Sequence, residues 1–133
     1  MARETGGRLY PWGDEASDST RCNSNCNTWA NTTPVGQYSP AGDSPYGCAN
    51  MAGNVLEWVS DWHREDYYTR SSAANDPFGP ASGVVRGLRG GSWSSDRQGV
   101  RCASRAASSQ TTTNSQVGFR IAVFATPQKQ DAD

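Results

Sequence analysis

Apolar residues along this chain of 133 residues never recur with a sustained 3.6-residue period, so no amphipathic helix of ordinary length is predicted. Short apolar or aromatic runs recur instead, cut off by turn formers, since 14 Gly and 7 Pro punctuate the chain roughly every ten positions or closer. Runs rich in β-branched and aromatic residues and bounded in this way read as strands. Four qualify: residues 55–61 (VLEWVSD), 88–93 (LRGGSW), 100–105 (VRCASR) and 117–124 (VGFRIAVF). Three of them follow residue 85, so the sheet is expected to draw mostly on the C-terminal part of the chain. Between them, residues 94–99 and 106–116 (AASSQTTTNSQ) are polar without an apolar period and read as surface loops or a short helix. Residues 14–31 fit no regular element, and Pro34, Pro40 and Pro45 impose extended or turn geometry around themselves. Long irregular stretches inside a compact domain usually serve function or a bound ion. No internal repeat is present, and residues 126–133 are expected to be a disordered tail.

Composition sharpens this picture. Leu, Ile, Val and Phe number only 15, about 11% of the chain, a level that with strong net charge would indicate disorder. Here 12 Lys+Arg face 13 Asp+Glu, for a net charge of −1, and five Trp and five Tyr supply apolar area, each burying roughly 150–250 Å². One domain over residues 1–125 with a small aromatic core follows, of an α+β class that is mainly β and loop-rich. No run reaches the ~20 apolar residues that span a bilayer, and the segment from Met1 to Tyr10 shows neither signal-peptide nor transit-peptide character. With balanced charge and no Lys/Arg cluster there is no electrostatic footprint for nucleic acid. Neither membrane nor nucleic acid is an expected partner.

The chemistry concentrates in residues 46–62 (YGCANMAGNVLEWVSDW). Asn50, Asn54, Glu57 and Asp61 offer oxygens, and Gly47 and Gly53 let the backbone turn and present carbonyls. Calcium takes six to eight oxygen ligands, carbonyls included. A site would use the Asn50 side chain, the Gly53 and Val55 carbonyls and the Glu57 carboxylate. The plainer alternative is that Asn50 and Asn54 satisfy turn backbone groups while Glu57 is solvated or paired. Elsewhere, Cys22 and Cys26 are close enough in sequence to close a small ring or join a zinc site, but the sole histidine is His63. Structural or free thiols are the simpler reading of Cys22, Cys26, Cys48 and Cys102, and they fix no redox compartment. His63 has Asp61, Glu65 and Asp66 nearby, which is material for acid–base chemistry. No elbow-like Ser or Cys supplies a nucleophile, so ordinary surface is the simpler reading. Arg89, Arg101, Arg105 and Arg120 fall within or beside strands, where Arg commonly buries its stem and pairs with carboxylates or carbonyls.

Six blocks carry a resemblance. YPWG (10–13), TPVG (33–36), GNVLEW with SDW (53–62), RGGSW (89–93), RCASR (101–105) and GFR (118–120) occur in the order seen in formylglycine-generating enzyme, the sulfatase-modifying factor family. The resemblance implies a C-type-lectin-like fold with a small twisted antiparallel sheet. It also implies a calcium site at Asn50, Gly53, Val55 and Glu57, the middle two acting through backbone carbonyls. Asn23 matches one ligand of a second calcium site found in some members, but the positions completing that site are not evident. Family enzymes use two cysteines just after the GGS(W/Y) block to bind copper and activate oxygen. Here that stretch is Ser94, Ser95, Asp96, Arg97, Gln98 and Gly99, and serine does not replace thiolate for soft Cu(I). Copper and formylglycine formation are therefore not expected. Cys102 matches a family cysteine whose usual partner falls at about Ala2, so it is expected to be unpaired or bonded to Cys22, Cys26 or Cys48. Residues 2–8 align with a segment that follows the family's second helix, so the N-terminal half is expected to be missing. The open sheet edge this leaves can pair between molecules.

Two functional classes follow. The first is a calcium-stabilised, non-catalytic binding or accessory module whose loops recognise a protein or glycan. Trp93 would be its aromatic anchor, ringed by Ser94, Ser95, Asp96 and Arg97 and by Arg105, Thr112 and Asn114. Small polar residues around an aromatic suit adaptable recognition. The same region resembles the variable surface of proteins diversified by retroelements. The second class is an enzyme of the wider family, an oxygen-dependent oxidase or a modifying factor acting with a partner. Its iron-dependent members draw three histidines largely from a separate helical domain, whereas this chain has one histidine. A structural fragment of a larger protein is a third reading.

Overall fold

The protein is described by a computed structural model over residues 7–26, 30–70 and 79–123. In chain order the elements are β1 (Leu56–Trp62), α1 (Tyr67–Arg70), β2 (Arg86–Arg89), β3 (Ala106–Ser108) and β4 (Val117–Gly118). The strands form one sheet in the order β3-β2-β1-β4. The aromatic and β-branched run LEWVSDW suits a central position, and β1 takes it, with β2 antiparallel on one side and β4 parallel on the other. Trp58 lies opposite Leu88, and Leu56 opposite Val117. The expectation of a wholly antiparallel sheet is thus corrected at β1–β4. The connection between these strands runs through α1, β2 and β3, so no hairpin dictates their polarity.

Only β1 lies close to its expected span. β2 begins at Arg86 and stops at Arg89 instead of running from 88 to 93, because Gly90 and Gly91 both have positive φ, 89° and 73°, and turn the chain out of the sheet. Residues 100–105 are turns, not a strand: Val100 N donates to Asp96 O at 3.3 Å and Arg101 N to Gln98 O at 3.3 Å. The Asp96 side chain, accepting from Gly99 N at 2.7 Å, sets that turn. Val100 is buried, and its local apolar pattern looks strand-like only because it fills the core from a turn. The third strand falls instead at Ala106–Ser108, inside a stretch read as loop. Its ladder to β2 uses backbone groups, which small residues leave unobstructed. β4 covers two residues, not eight, pairing with β1 only at Leu56 and Glu57. Phe124 and the expected disordered tail, 126–133, lie outside the described residues.

The core sits among loops. Tyr10, Cys22, Ala52 and Val100 form a buried cluster, with Leu9 and Trp12 packed against it. The Tyr10 and Trp12 rings stack at 5.2 Å between centroids, so the aromatic character expected of the core is present there. Trp58, Trp62 and Trp93 are only half-buried. Ser17, Asn23, Ser24, Asn54 and Ser92 are buried as well, so polar groups hold much of the interior. No helix among the described residues is long and apolar enough to cross a membrane.

Candidate functional site

Asn54 is the hub that brings the sequence blocks together. Its Oδ1 accepts from Thr33 N at 2.9 Å and from Asn23 Nδ2 at 3.3 Å, and its Nδ2 donates to Thr33 O at 3.2 Å. Its backbone N donates to Asn23 O at 2.8 Å while its carbonyl accepts from Trp93 N at 2.9 Å. Gly53, with φ 74°, donates to Gly90 O at 2.8 Å. A Cβ there would lie 2.1 Å from Asn23 O, so glycine is required. The reading of Asn54 as a group that satisfies backbone was correct in chemistry. Its partners, however, lie 21 and 31 residues away, which no local signal announces.

Of the four expected calcium ligands, Glu57 lies on β1, and Asn50, Gly53 and Val55 precede that strand in the chain. Glu57 forms a bidentate pair with Arg120: Nε donates to Oε2 and Nη2 to Oε1, both at 2.6 Å. The same guanidinium donates to Asn50 O at 2.9 Å and Ala49 O at 3.3 Å. The Glu57 hydrogen bonds raise the Arg120 pKa above its ordinary value, against the opposing effect of burial. Asn50, at φ 53°, accepts from Gly36 N at 3.3 Å through its side-chain oxygen. The Gly53 and Val55 carbonyls accept no backbone hydrogen bond outside the strand ladders among the described residues. Nor do three His, Cys, Asp or Glu side chains cluster anywhere among them, so a cation here would depend on carbonyl and amide oxygens. That donor set is all oxygen and fits a hard cation. The Arg120 fork takes one acceptor position on each Glu57 oxygen, and a carboxylate oxygen offers two. Any cation would therefore share Glu57 with a guanidinium.

The expected ligand surface divides. Trp93 Nε1 donates to Ser115 O at 3.1 Å, and Ser94 Oγ donates to Gln116 Oε1 at 2.6 Å, next to Asn114, whose Oδ1 accepts from Gln116 N at 2.8 Å. Ser95 Oγ accepts from Ser92 N at 2.9 Å, and Thr112 shares a hydrogen bond with Ser108 at 2.7 Å. Arg97 receives the Tyr10 hydroxyl on its carbonyl at 3.2 Å, and Asp96 caps the turn at Gly99. Arg105 stands apart, over the Tyr68 ring at 4.9 Å and donating to Arg64 O at 3.3 Å. His63 and Asp61 border a cleft of about 170 Å³ beside α1.

No disulfide joins any of the four cysteines. Cys22 is buried and Cys26 exposed, and both contact the Ser24 hydroxyl, at 3.7 and 2.8 Å. Burial pushes the Cys22 thiol up to about 11. Neighbouring Asn25 N donates to Ser95 O at 3.0 Å, which ties this loop to the RGGSW region. Sequence reasoning did not connect these segments, which are about seventy residues apart and share no local pattern.

Known proteins place this arrangement. The profile described as "Sulfatase-modifying factor enzyme 1-like domain" matches residues 1–125. The chain is 45% identical over 114 residues to serine/threonine-protein kinase pkn1 of Chlamydia pneumoniae, covering 85% of this chain and 17% of that protein. It is 38% identical over 133 aligned residues to the formylglycine-generating enzyme of Streptomyces coelicolor, covering 87% of this chain and 40% of the enzyme. Among solved structures, Treponema denticola variable protein 1 superposes with a TM-score of 0.65 at 28% identity, covering 86% of this chain and 41% of that one. The chain spans less than half the length of each of these relatives. By profile, identity and fold together, it belongs to the sulfatase-modifying factor enzyme 1-like family.

Proposed function

We propose that the chain is a non-catalytic binding or accessory module of this family, with a C-type-lectin-like fold stabilised by calcium. The observation carrying this reading is the chemistry of the segment after RGGSW. Ser92 and Ser94 direct their hydroxyls at Gln116, so the position where catalytic family members are expected to hold thiols offers only oxygen donors, unsuited to Cu(I). Polar loops around Trp93, likeness to a protein named for its variability and the match to part of a kinase support a recognition or accessory role for a protein or glycan. Calcium would be held by the Asn50 side chain, the Gly53 and Val55 carbonyls and the Glu57 carboxylate, and would supply cross-linking, not reaction chemistry. Thermal unfolding in calcium and in chelator tests this half of the reading. At about 100 times its dissociation constant the ion adds ~2.7 kcal/mol, an upward shift of several degrees that Glu57→Ala abolishes. Equal midpoints in calcium and chelator overturn it.

A second reading, an enzyme of the wider family, is favoured by one observation: Cys22 and Cys26 share the Ser24 hydroxyl beside Ser95. Mass spectrometry of a cysteine-containing sulfatase peptide incubated with the chain and copper separates the readings. Loss of the thiol with gain of an aldehyde that depends on Cys26 would favour the enzyme, and an unchanged peptide the module.

A further inference from the structure

A cavity of about 540 Å³ is lined by Tyr10 of the core and by the RCASR block. That is the size of a small-molecule site. Among the described residues its lining includes Arg8, Arg89, Arg101 and Arg105 but no Asp or Glu, and its wall is largely apolar, with Tyr10, Pro45, Tyr46 and Met51 contributing. In a chain whose net charge is −1, four guanidinium groups with no carboxylate among the described lining residues make a local positive field.

The arginines differ in what they can do. Arg89 is committed to the scaffold: its guanidinium donates to Cys102 O at 2.7 Å and to Ser104 O, which fixes the wall formed by the RCASR block. Arg101 is exposed and makes no ion pair among the described residues. Arg105 spends one N–H on Arg64 O at 3.3 Å, and its plane is held over the Tyr68 ring. A guanidinium carries five N–H donors in a fixed fork, so Arg105 retains most of its capacity in a restrained position. Two guanidinium forks lining one cavity match the oxygens of a phosphate, sulfate or carboxylate.

We propose that this cavity binds a small organic oxyanion, its charged head on Arg101 and Arg105 and its aromatic or aliphatic body against the apolar wall. The assignment deepens the binding-module reading and rests on it, while leaving the calcium site aside. Charge ranks a dianionic phosphate ester above a sulfate or carboxylate carrying the same body. The apolar wall ranks each of them above the bare inorganic ion.

Calorimetric titration of the 133-residue chain with phenyl phosphate, phenyl sulfate, benzoate, phenol and inorganic phosphate tests the assignment, with amide NMR shifts reporting the location. Saturable 1:1 binding of phenyl phosphate is expected, with shifts centred on residues 90 and 101–105. Inorganic phosphate and phenol should bind at least about tenfold more weakly, since each lacks one half of the recognition. The double variant R101Q/R105Q, whose sites are both exposed, should keep the parent melting temperature and lose about tenfold or more in affinity. Val84→Ser, at an exposed residue outside the cavity lining, should bind as the parent does. No saturable binding, or binding that R101Q/R105Q leaves intact, overturns the proposal. Binding lost in Trp93→Ala but retained in R101Q/R105Q also overturns it, while keeping the module reading with its site on the other loops. Cysteine-to-aldehyde conversion in the peptide assay overturns the module reading itself, whatever the titration shows.

Discussion

Cys22 shows how one buried atom couples this small core to pH. Its side chain lies against Tyr10, Ala52 and Val100, and desolvation favours the neutral thiol, so its pKa rises from 9.0 to about 11. In the unfolded chain the thiol ionises near the lower value. Between the two values the folded state therefore binds more protons, and stability falls as pH rises across that window. Below the lower value the contribution is complete. The loss reaches on the order of 2 kcal/mol, and urea unfolding from pH 8 to 11 measures it. Cys22→Ala should flatten that slope, and a slope unchanged by the substitution would place its source elsewhere. The same burial orders reactivity, because thiolate and access govern alkylation. Under native conditions the exposed Cys26 and Cys48 should react with a maleimide well before Cys22, as peptide mass spectrometry of a time course would show. The sequence left the four thiols open because burial here depends on a turn in which Cys22 N and Arg21 N both reach back to Asp18 O.

At the scale of elements, β1 and β4 are joined by a pair of residue blocks more than by their ladder. The bidentate contact of Arg120 with Glu57 spans 63 residues, and its further bonds to Ala49 and Asn50 lock the turn that precedes the strand. Arg120 is 38% exposed and Glu57 14%, so solvent screening reduces the pair to about 1–2 kcal/mol of coupling. A double-mutant cycle of Glu57→Gln and Arg120→Gln, read by denaturant unfolding in chelator, should return that coupling, and additive effects would show the pair to be inert. How far this was legible in the sequence divides along the same line. The run 55–61 announced β1 because a central strand needs bulky residues on both faces. The GNVLEW, RGGSW and GFR blocks were visible as strings, and Arg120 of the last bonds both the Glu57 carboxylate and the Asn50 carbonyl. The short strands were displaced because backbone bonds and glycine turns decide them: Gly90 ends β2, and Ala106–Ser108 pairs without any apolar signal. The cavity arginines passed as a structural network because nothing in their spacing says that Arg89 is anchored to carbonyls while Arg101 is not.

At the scale of the molecule, the sheet has two edges. β3 and β4 are the outer strands, and beyond β4 the alternate residues Phe119, Ile121 and Val123 are 75%, 83% and 89% exposed. Alternation places them on one face wherever the segment is extended, and an apolar stripe continuing an unpaired edge is a template for another strand. The buried apolar cluster is four residues large among the described residues, and polar residues, Asn54 and Ser92 among them, share the interior. The expectation is self-association that grows with concentration and spares the Asn54 hub. Sedimentation velocity over about a hundredfold range of concentration should show it as a rising average mass. Ile121→Lys places a charge in the stripe, where it touches neither Glu57 nor the core. It should therefore return the chain to monomer with its melting temperature unchanged at low concentration. A constant monomer mass in the parent would show that the stripe pairs with nothing in its own kind. Association that persists in Ile121→Lys would move the contact to the β3 edge, where Ala107 is the exposed position and Ala107→Lys is the corresponding break.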